Sequence, residues 1–546
     1  MRQLIRNALI VNGDGETDPW SGDVLIDGGR ISHIGCVPRS EQQECHQRID
    51  ARGMAVAPGF VDTHNHGALG GTRIGASGLP VACELALLGG VTKRICGVDG
   101  LSPAPVPAAQ RAEYALQLRP LDGDIGEPWS WSSISGFLSW HRGRSVTDMG
   151  LYLGHSAVRR VVMDNLARKA TDSEIATMCE VVRREAAATL GLSTGLVYSP
   201  AVYSDQREIT ALVRAFNEVK PGALFPHLRS ESDMILESLR EVVEAAIDGG
   251  GAYCNEHSKI AGSRNYEKIG ALEDMLGGAA DSVPTMENMY PYPSGSTTGD
   301  AVFPPDIRAG SREDFLRRLG DPEARRRIHE RIVGDTRSWD NFVAFCGGLA
   351  GIQIAGVREG VGDAFLGQRL SDVVRAAGIE DTDSLAAIEA VCDFYQLNGG
   401  EISIINHYGN DATVDRFFRR KSMAICTDGL MPGPGQRPHP RCVGAFPKAL
   451  RMAREMGIPL KSIVYRMSTL PCEFLRLPSP VLRVGADASL VLFDWSRVRE
   501  RNDYLDPLVP PEGIEGVWIH GHRVLYRGRF DVPSPFPGQT LHSAAA

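Results

Sequence analysis

Pro58-Gly59-Phe60-Val61-Asp62-Thr63-His64-Asn65-His66 is the stretch on which the reading of the fold turns. Apolar, strand-forming residues run into His-x-His, and the two-residue period of a strand points both imidazoles to the same side. Two neutral imidazoles side by side are good Zn²⁺ ligands, and the C-terminal end of a barrel strand is where barrel active sites are assembled. Further apolar runs follow: Leu151-Tyr152-Leu153, Leu224-Phe225-Pro226-His227 and Ser403-Ile404-Ile405-Asn406-His407. They read, with Val56 to Asp62, as buried parallel strands. Between them lie helical stretches at 172–190, 208–219 and 232–247, with apolar residues at 3.6-residue spacing. Repeated strand–helix units over 58–479 predict an α/β protein with a parallel (β/α)₈ TIM barrel.

The two ends have a different texture. Apolar and polar residues alternate through Ala8-Leu9-Ile10-Val11, Asp23 to Asp27 and Arg30 to Ile34, separated by the turn signals Asn12-Gly13-Asp14-Gly15 and Asp27-Gly28-Gly29. The same texture returns at Ala488 to Asp494 and Gly516 to Tyr526. Residues 1–57 and 480–546 are therefore expected to build one small β-sandwich. The stretch of about 294–400, irregular and rich in Arg and Asp, reads as a lid-like insertion covering one barrel face.

With 546 residues, the chain has room for three or four domains of roughly 150 residues, or for one barrel with a satellite. Apolar residues at 43% and charged residues at 23% exclude a disordered or fibrous chain. A net charge of −9, with no Lys/Arg block, argues against nucleic acid and acidic membrane surfaces as partners. No apolar run is long enough to cross a bilayer, and the N-terminus lacks the apolar core of a signal peptide. Eleven cysteines without a framework spacing point to reduced thiols and a cytoplasmic enzyme. A homo-oligomer is compatible with these features.

Two more histidines, His227 and His257, each close an apolar run, with helical sequence between them. This spacing fits successive strand–helix units, so both side chains could reach the barrel mouth; singly, each is as readily a hydrogen-bonded core histidine. Asp428 ends the buried run Ser422 to Thr427 and precedes Gly429, a position that also suits an ordinary turn aspartate.

The His64-x-His66 segment resembles the first metal motif of the amidohydrolase superfamily. Further segments are similar to those of the N-acyl-D-amino-acid deacylases (D-aminoacylases): Gly90-Val91-Thr92, Gly100-Leu101-Ser102-Pro103, His227-Leu228-Arg229-Ser230-Glu231, His257-Ser258-Lys259, Tyr290-Pro291-Tyr292, Thr427-Asp428-Gly429, His439-Pro440-Arg441 and Met467-Ser468-Thr469-Leu470-Pro471. The resemblance implies a distorted barrel carrying one or two zinc ions, with His227 and His257 on the more buried one. It implies hydrolysis of the linear amide of a small N-acylated substrate, an N-acyl-D-amino acid. Asp428 is then the group that takes a proton from the attacking water and passes it to the leaving amine. Arg441 is the clamp for the substrate carboxylate, and Tyr198, Lys259, Tyr292 and Ser296 are further binding residues.

Two departures stand out. Where the family has a zinc-ligating cysteine this chain has Asp99, while Cys96 lies three residues earlier and faces the other way in a regular strand. A bulge at Gly97 would reverse that, but Asp is itself a competent zinc ligand, so Asp99 is the expected ligand and Cys96 the alternative. After His66 the family commonly carries acidic residues, whereas Gly67-Ala68-Leu69-Gly70-Gly71 follows here and reads as a flexible loop beside the substrate. Arg229 and Glu231 are expected to pair beside His227. A cyclic amide or imide hydrolase is the alternative function, disfavoured because Gly191 to Tyr198 contains no lysine to carboxylate. A barrel that binds a small ligand without hydrolysing it is the more distant one.

Overall fold

The computed structural model describes residues 2–543. At its centre is a barrel of strands in chain order: Phe60–Asp62, Val91–Cys96, Asp148–Leu151 continuing as Leu153–Gly154, Leu192–Gly195, Ala223–His227, Ala252–Asn255, Thr285–Met289 and Met423–Ile425. Their pairings are all parallel. The third strand is interrupted at Tyr152, whose N–H bonds Cys96 O at 2.8 Å, and the ladder divides there into arcs of three and six strands. First and last strands meet at the rim, where Asp428 N–H donates to His64 O at 2.9 Å and His66 N–H to Gly429 O at 3.1 Å. The distortion of the TIM barrel lies in these two places, and the rim contact brings segments 62–66 and 427–429 edge to edge.

The barrel interior is packed with Val61, Ile95, Tyr152, Phe225, Cys254, Met286 and Ala424, with Tyr152 and Phe225 stacked at 3.9 Å. The outer helices form where the sequence has both an apolar stripe and a cap. Gln206–Asn217 buries Ile209, Leu212, Val213 and Phe216 behind an Asp205 cap, and Asp172–Ala186 starts at a capping box of Thr171 and Glu174. Among the described residues no helix is long and apolar enough to cross a membrane.

Three sequence expectations need correction. The run from Val56 to Asp62 is two strands that part at Gly59: Gly59 N–H bonds Ser489 O at 3.0 Å and Phe60 N–H bonds Gly90 O at 3.1 Å. A Cβ on Gly59 would lie 2.2 Å from Thr92, so only glycine fits this crossing. Ser403–His407 is not a barrel strand but pairs antiparallel with Ser294–Thr298 and Ile352–Gly356. These three strands, with helices Arg312–Leu319, Pro322–Gly334, Leu370–Ala376 and Leu385–Leu397, form the insertion around a separate core that includes Phe303, Phe315, Ile328, Leu370 and Tyr395. Finally, residues 538–541 lie against the barrel: Met149 N–H bonds Gln539 O and Leu541 N–H bonds Met149 O, both at 2.9 Å. Leu541 joins the barrel-interior cluster.

The remaining terminal strands share one nine-stranded sheet in which Leu490–Phe493 runs antiparallel to Ala55–Pro58. Ile31 N–H bonds Ala486 O at 2.9 Å and Ala488 N–H bonds Gly29 O at 3.0 Å, enclosing Ile5, Val24, Ile26, Leu490 and Trp518.

Candidate active site

Six residues from five barrel strand ends converge at one mouth. Asp99 Oδ1 lies 3.5 Å from His64 Nε2, 3.5 Å from His227 Nδ1 and 3.5 Å from His257 Nε2, and its Oδ2 lies 3.6 Å from His66 Nε2. Asp428 Oδ1 lies 3.4 Å from His66 Nε2 and 3.7 Å from His64 Nε2. Tetrahedral zinc with bonds of about 2.0–2.1 Å holds its donor atoms about 3.4 Å apart, so these separations have the right scale for shared coordination. They resolve into three buried groups: His64–His66–Asp99, His64–His257–Asp428 and Asp99–His227–His257. His64 Nε2 and both ring nitrogens of His227 are buried without a hydrogen-bond partner. Orphaned nitrogens of this kind are costly in a folded interior, and a bound metal would satisfy those that face Asp99.

Backbone geometry aims these side chains. Asp99 (φ 53°), His257 (φ 33°) and Asp428 (φ 45°) all occupy the left-handed region, at a cost of about 1–3 kcal/mol each. For Asp99 the strand stops at Cys96, and a corner with Gly97 at φ 77° and Gly100 at φ 71° turns its carboxylate inward. The corner packs tightly, since a Cβ on Gly195 would sit 2.2 Å from Asp99 O. Cys96 stays on the other side, with its sulfur 3.9 Å from Asn65 Oδ1. Burial pushes its thiol up to about 12, so it is a poor thiolate, and it is part of none of the three groups.

Each histidine also meets a carboxylate on its second nitrogen. Glu256 hydrogen-bonds His64 Nδ1. Asp122 lies 3.4 Å from His66 Nδ1. Glu231 lies 3.1 Å from His257 Nδ1 and 3.6 Å from His227 Nε2. A hydrogen-bonded carboxylate of this kind fixes the tautomer and ring orientation of a metal-binding histidine, whereas the Glu231 contact to His227 Nε2 is too long for a hydrogen bond. Sequence reasoning missed this layer. Glu256 next to His257, and Glu231 four residues after His227, were available signals; Asp122, at the end of helix Arg111–Asp122, offered none. Glu231 does not pair with Arg229 as expected: it accepts from Lys259 Nζ at 2.6 Å, while Arg229 binds Glu241 at 2.7 Å. The loop after His66 is not an open surface loop. Residues 67–71 are buried, and Gly70 packs on Gly123 so closely that a Cβ would lie 2.4 Å from it. This approach carries Asp122 to His66. Replacing Glu256 with Gln is expected to weaken metal retention about 10–100-fold without unfolding the barrel, measured by zinc competition against a chromophoric chelator.

The carboxylates tilt the protonation of the site. For His66, burial alone would lower the pKa, but bonds to Asp122 and Asp428 and the charge of Asp99 outweigh it and raise it to about 10. For His257, burial and Lys259 lower it, and Glu231 and Asp99 overcome both, raising it to about 9. Burial would raise the pKa of Asp99, but its neighbours His227 and His64 hold it well below the carboxylate range. At pH 7.5 the metal-free site therefore holds protons that a metal must displace. Zinc binding is expected to release about two protons at that pH and to tighten as pH rises toward 9–10, read by calorimetry in buffers of different ionisation enthalpy. The same raised values stabilise the metal-free fold fully below about pH 6.5, and that contribution is lost as pH rises through 9–10.

A cavity of about 30 Å³ opens onto Asp99, His227 and Asp428. Arg441, Lys259, Tyr198 and Ser296 all line it. Arg441 is fully buried, stacked 4.2 Å over Tyr290, and its Nη1 stands 2.8 Å from Asp428 Oδ2. Its Nε and Nη1 make no aligned hydrogen bond. Tyr198 OH bonds Thr297 Oγ1 at 2.7 Å, and Ser296 Oγ bonds Ile404 O at 2.8 Å. Tyr292 is elsewhere: its ring stands edge-on to His439 at 5.2 Å, under Lys448 Nζ at 4.0 Å. The chain turns tightly at Pro291, where Tyr292 N–H bonds Tyr290 O at 2.9 Å, and Tyr290 reaches the cavity in its place.

No family model matches the chain. An N-acyl-D-aspartate deacylase of Alcaligenes xylosoxydans xylosoxydans is 28% identical over 98% of this chain and 94% of its own length. An N-acyl-D-glutamate deacylase of the same organism is 28% identical over 98% of this chain and 97% of its own. A solved N-acyl-D-glutamate deacylase of Bordetella bronchiseptica, complexed with zinc and a phosphonate inhibitor, superposes with a TM-score of 0.76 at 24% identity, covering 99% of both chains. The chain therefore has the α/β-barrel fold of the solved deacylase. The chain is a homologue of the N-acyl-D-amino-acid deacylases along its whole length.

Proposed function

We propose that this protein is a metal-dependent amidohydrolase that cleaves the linear amide of an N-acyl-D-amino acid, with His64, His66, Asp99, His227 and His257 holding one or two zinc ions. The observation that carries this reading is the placement of the Asp99 carboxylate within 3.5–3.6 Å of all four histidines. Zinc at such a site polarises a carbonyl and makes water a nucleophile at neutral pH. Asp428 accepts the proton of the attacking water at Oδ1 and returns it to the departing nitrogen. Burial would raise its pKa, but Arg441 and the histidines hold it far below the carboxylate range, so it stands ionised before attack. Arg441, whose Nε and Nη1 lack aligned partners while Nη2 donates to Ser296 O at 3.0 Å, and Lys259, Tyr290 and Ser296 around the same cavity receive the substrate carboxylate, Arg441 bidentately. Tyr198 forms a wall.

The eleven cysteines are free thiols, which supports a cytoplasmic location. The test of substrate class is hydrolysis by zinc-loaded protein of a panel of N-acetyl-D- and N-acetyl-L-amino acids beside hydantoins. Selective turnover of the D-series is expected; turnover of hydantoins alone would replace this reading with the cyclic-amide one.

A further inference from the structure

One polar side chain beneath the metal ligands touches both sides of the site. Strand Thr285–Met289 points Met286 into the barrel interior, and the two-residue period of a strand turns Asn288 the same way, one layer nearer the mouth. Asn288 is fully buried, and both ends of its amide are engaged. Its Oδ1 accepts the backbone N–H of His257 at 2.5 Å. Its Nδ2 donates to Glu256 Oε1 at 2.7 Å and to Thr63 Oγ1, beside His64, at 3.0 Å. A backbone N–H only donates and an ionised carboxylate only accepts, so the amide has one orientation here.

Each end acts on a different histidine. Glu256 is 2% exposed and its other oxygen hydrogen-bonds His64 Nδ1. Among the described residues Asn288 is the one nitrogen or oxygen donor to Glu256 Oε1, with Cys254 Sγ farther off at 3.6 Å. His257 stands in the left-handed region at φ 33°, a strain that persists only where the surroundings over-determine it, and Asn288 takes its N–H. The Asn288 carbonyl accepts the next N–H, that of Ser258, at 2.7 Å. A hydrocarbon side chain at 288 would leave Glu256 Oε1 and the His257 N–H unpaired in the interior. An aspartate would set a second carboxylate against Glu256.

We propose that Asn288 is a positioning residue for the metal centre. Through Glu256 it fixes the tautomer of His64, and through the His257 N–H it holds the turn that aims His257, so one side chain sets two ligands from different strands. The inference rests on the metal reading of these histidines and adds a residue that itself contacts neither metal nor substrate.

The test is zinc affinity by competition with a chromophoric chelator, with folding followed by thermal melting. Asn288→Asp keeps the size and the acceptor for His257 but opposes Glu256 with a like charge; it is expected to weaken zinc about 10–100-fold, as is Glu256→Gln. Together the two changes exchange donor and acceptor: the new amide at 256 donates to the new carboxylate at 288 and still accepts from His64 Nδ1. The double variant is therefore expected to bind zinc within about threefold of wild type, a coupling that two independent losses would not give. Asn288→Ala lacks both ends and is expected to weaken zinc with no rescue by Glu256→Gln. Wild-type affinity in Asn288→Asp, or a double variant as weak as the two losses summed, would overturn the proposal. If Asn288→Asp alone does not fold, the double variant decides by the same criterion. A wild-type protein that binds no zinc would refute the metal reading itself and the inference with it, whereas normal zinc binding without rescue refutes the inference alone.

Discussion

Replacing Asp428 with asparagine is expected to lower turnover of an N-acyl-D-amino acid by about 10²–10⁴-fold, the range typical of losing a general acid–base group, while zinc content is retained. Asparagine keeps the shape and can still accept the Arg441 N–H, but it takes no proton from water and returns none to the amine. The metal set Asp99–His227–His257 does not include Asp428, so its zinc should stay. The substitution also leaves Arg441, fully buried, without its counter-charge. Removing one member of a buried pair costs about 3–5 kcal/mol, so the Tm should fall as well. Folded fraction and zinc are therefore measured beside kcat. Near-wild-type turnover with zinc intact would move the proton transfer to another residue.

The second large effect concerns Asp99. It is common to the sets His64–His66–Asp99 and Asp99–His227–His257, so Asp99→Ala is expected to lose zinc from both and to abolish activity. It also strips the one carboxylate that faces all four histidines. Asp99→Cys keeps an anionic donor, longer because Zn–S is about 2.3 Å, and should hold at least one zinc with measurable activity. Cys96→Ala should change metal content little, because the Cys96 sulfur faces Asn65 rather than the histidines. Loss of zinc in Cys96→Ala with retention in Asp99→Ala would reverse the assignment. Metal analysis of the three purified variants separates these outcomes.

The residues that converge on the site were legible because each stands at the end of an apolar run, where strand periodicity and barrel topology both point one way. Asp99 was harder, since it lies three residues past the strand. Its orientation comes from a glycine corner rather than from strand alternation, which is why Cys96 competed with it on paper. The carboxylates behind the histidines were not legible as a set. Asp122 arrives from a helix end through the contact of Gly70 with Gly123, a long-range approach that no local pattern encodes. The same limit explains Ser403–His407: a five-residue apolar run looks alike in a parallel barrel and in an antiparallel sheet until its partners are known. Tyr290 and Tyr292 would share a face of an extended segment; the tight turn at Pro291, where Tyr292 N–H bonds Tyr290 O, separates them and leaves Tyr292 packed against His439. The tail at 538–541 reads as part of the terminal sheet by position, yet pairs with barrel strand Asp148–Leu151 because that strand presents Met149 to it.

The most direct test of the metal-dependent deacylase account is reconstitution. Protein stripped of metal by chelation is titrated with zinc while release of the free D-amino acid from N-acetyl-D-amino acids is followed. The account predicts no turnover without metal and recovery that rises with zinc and reaches its maximum by one or two equivalents per chain. Full turnover by the metal-free protein would contradict it.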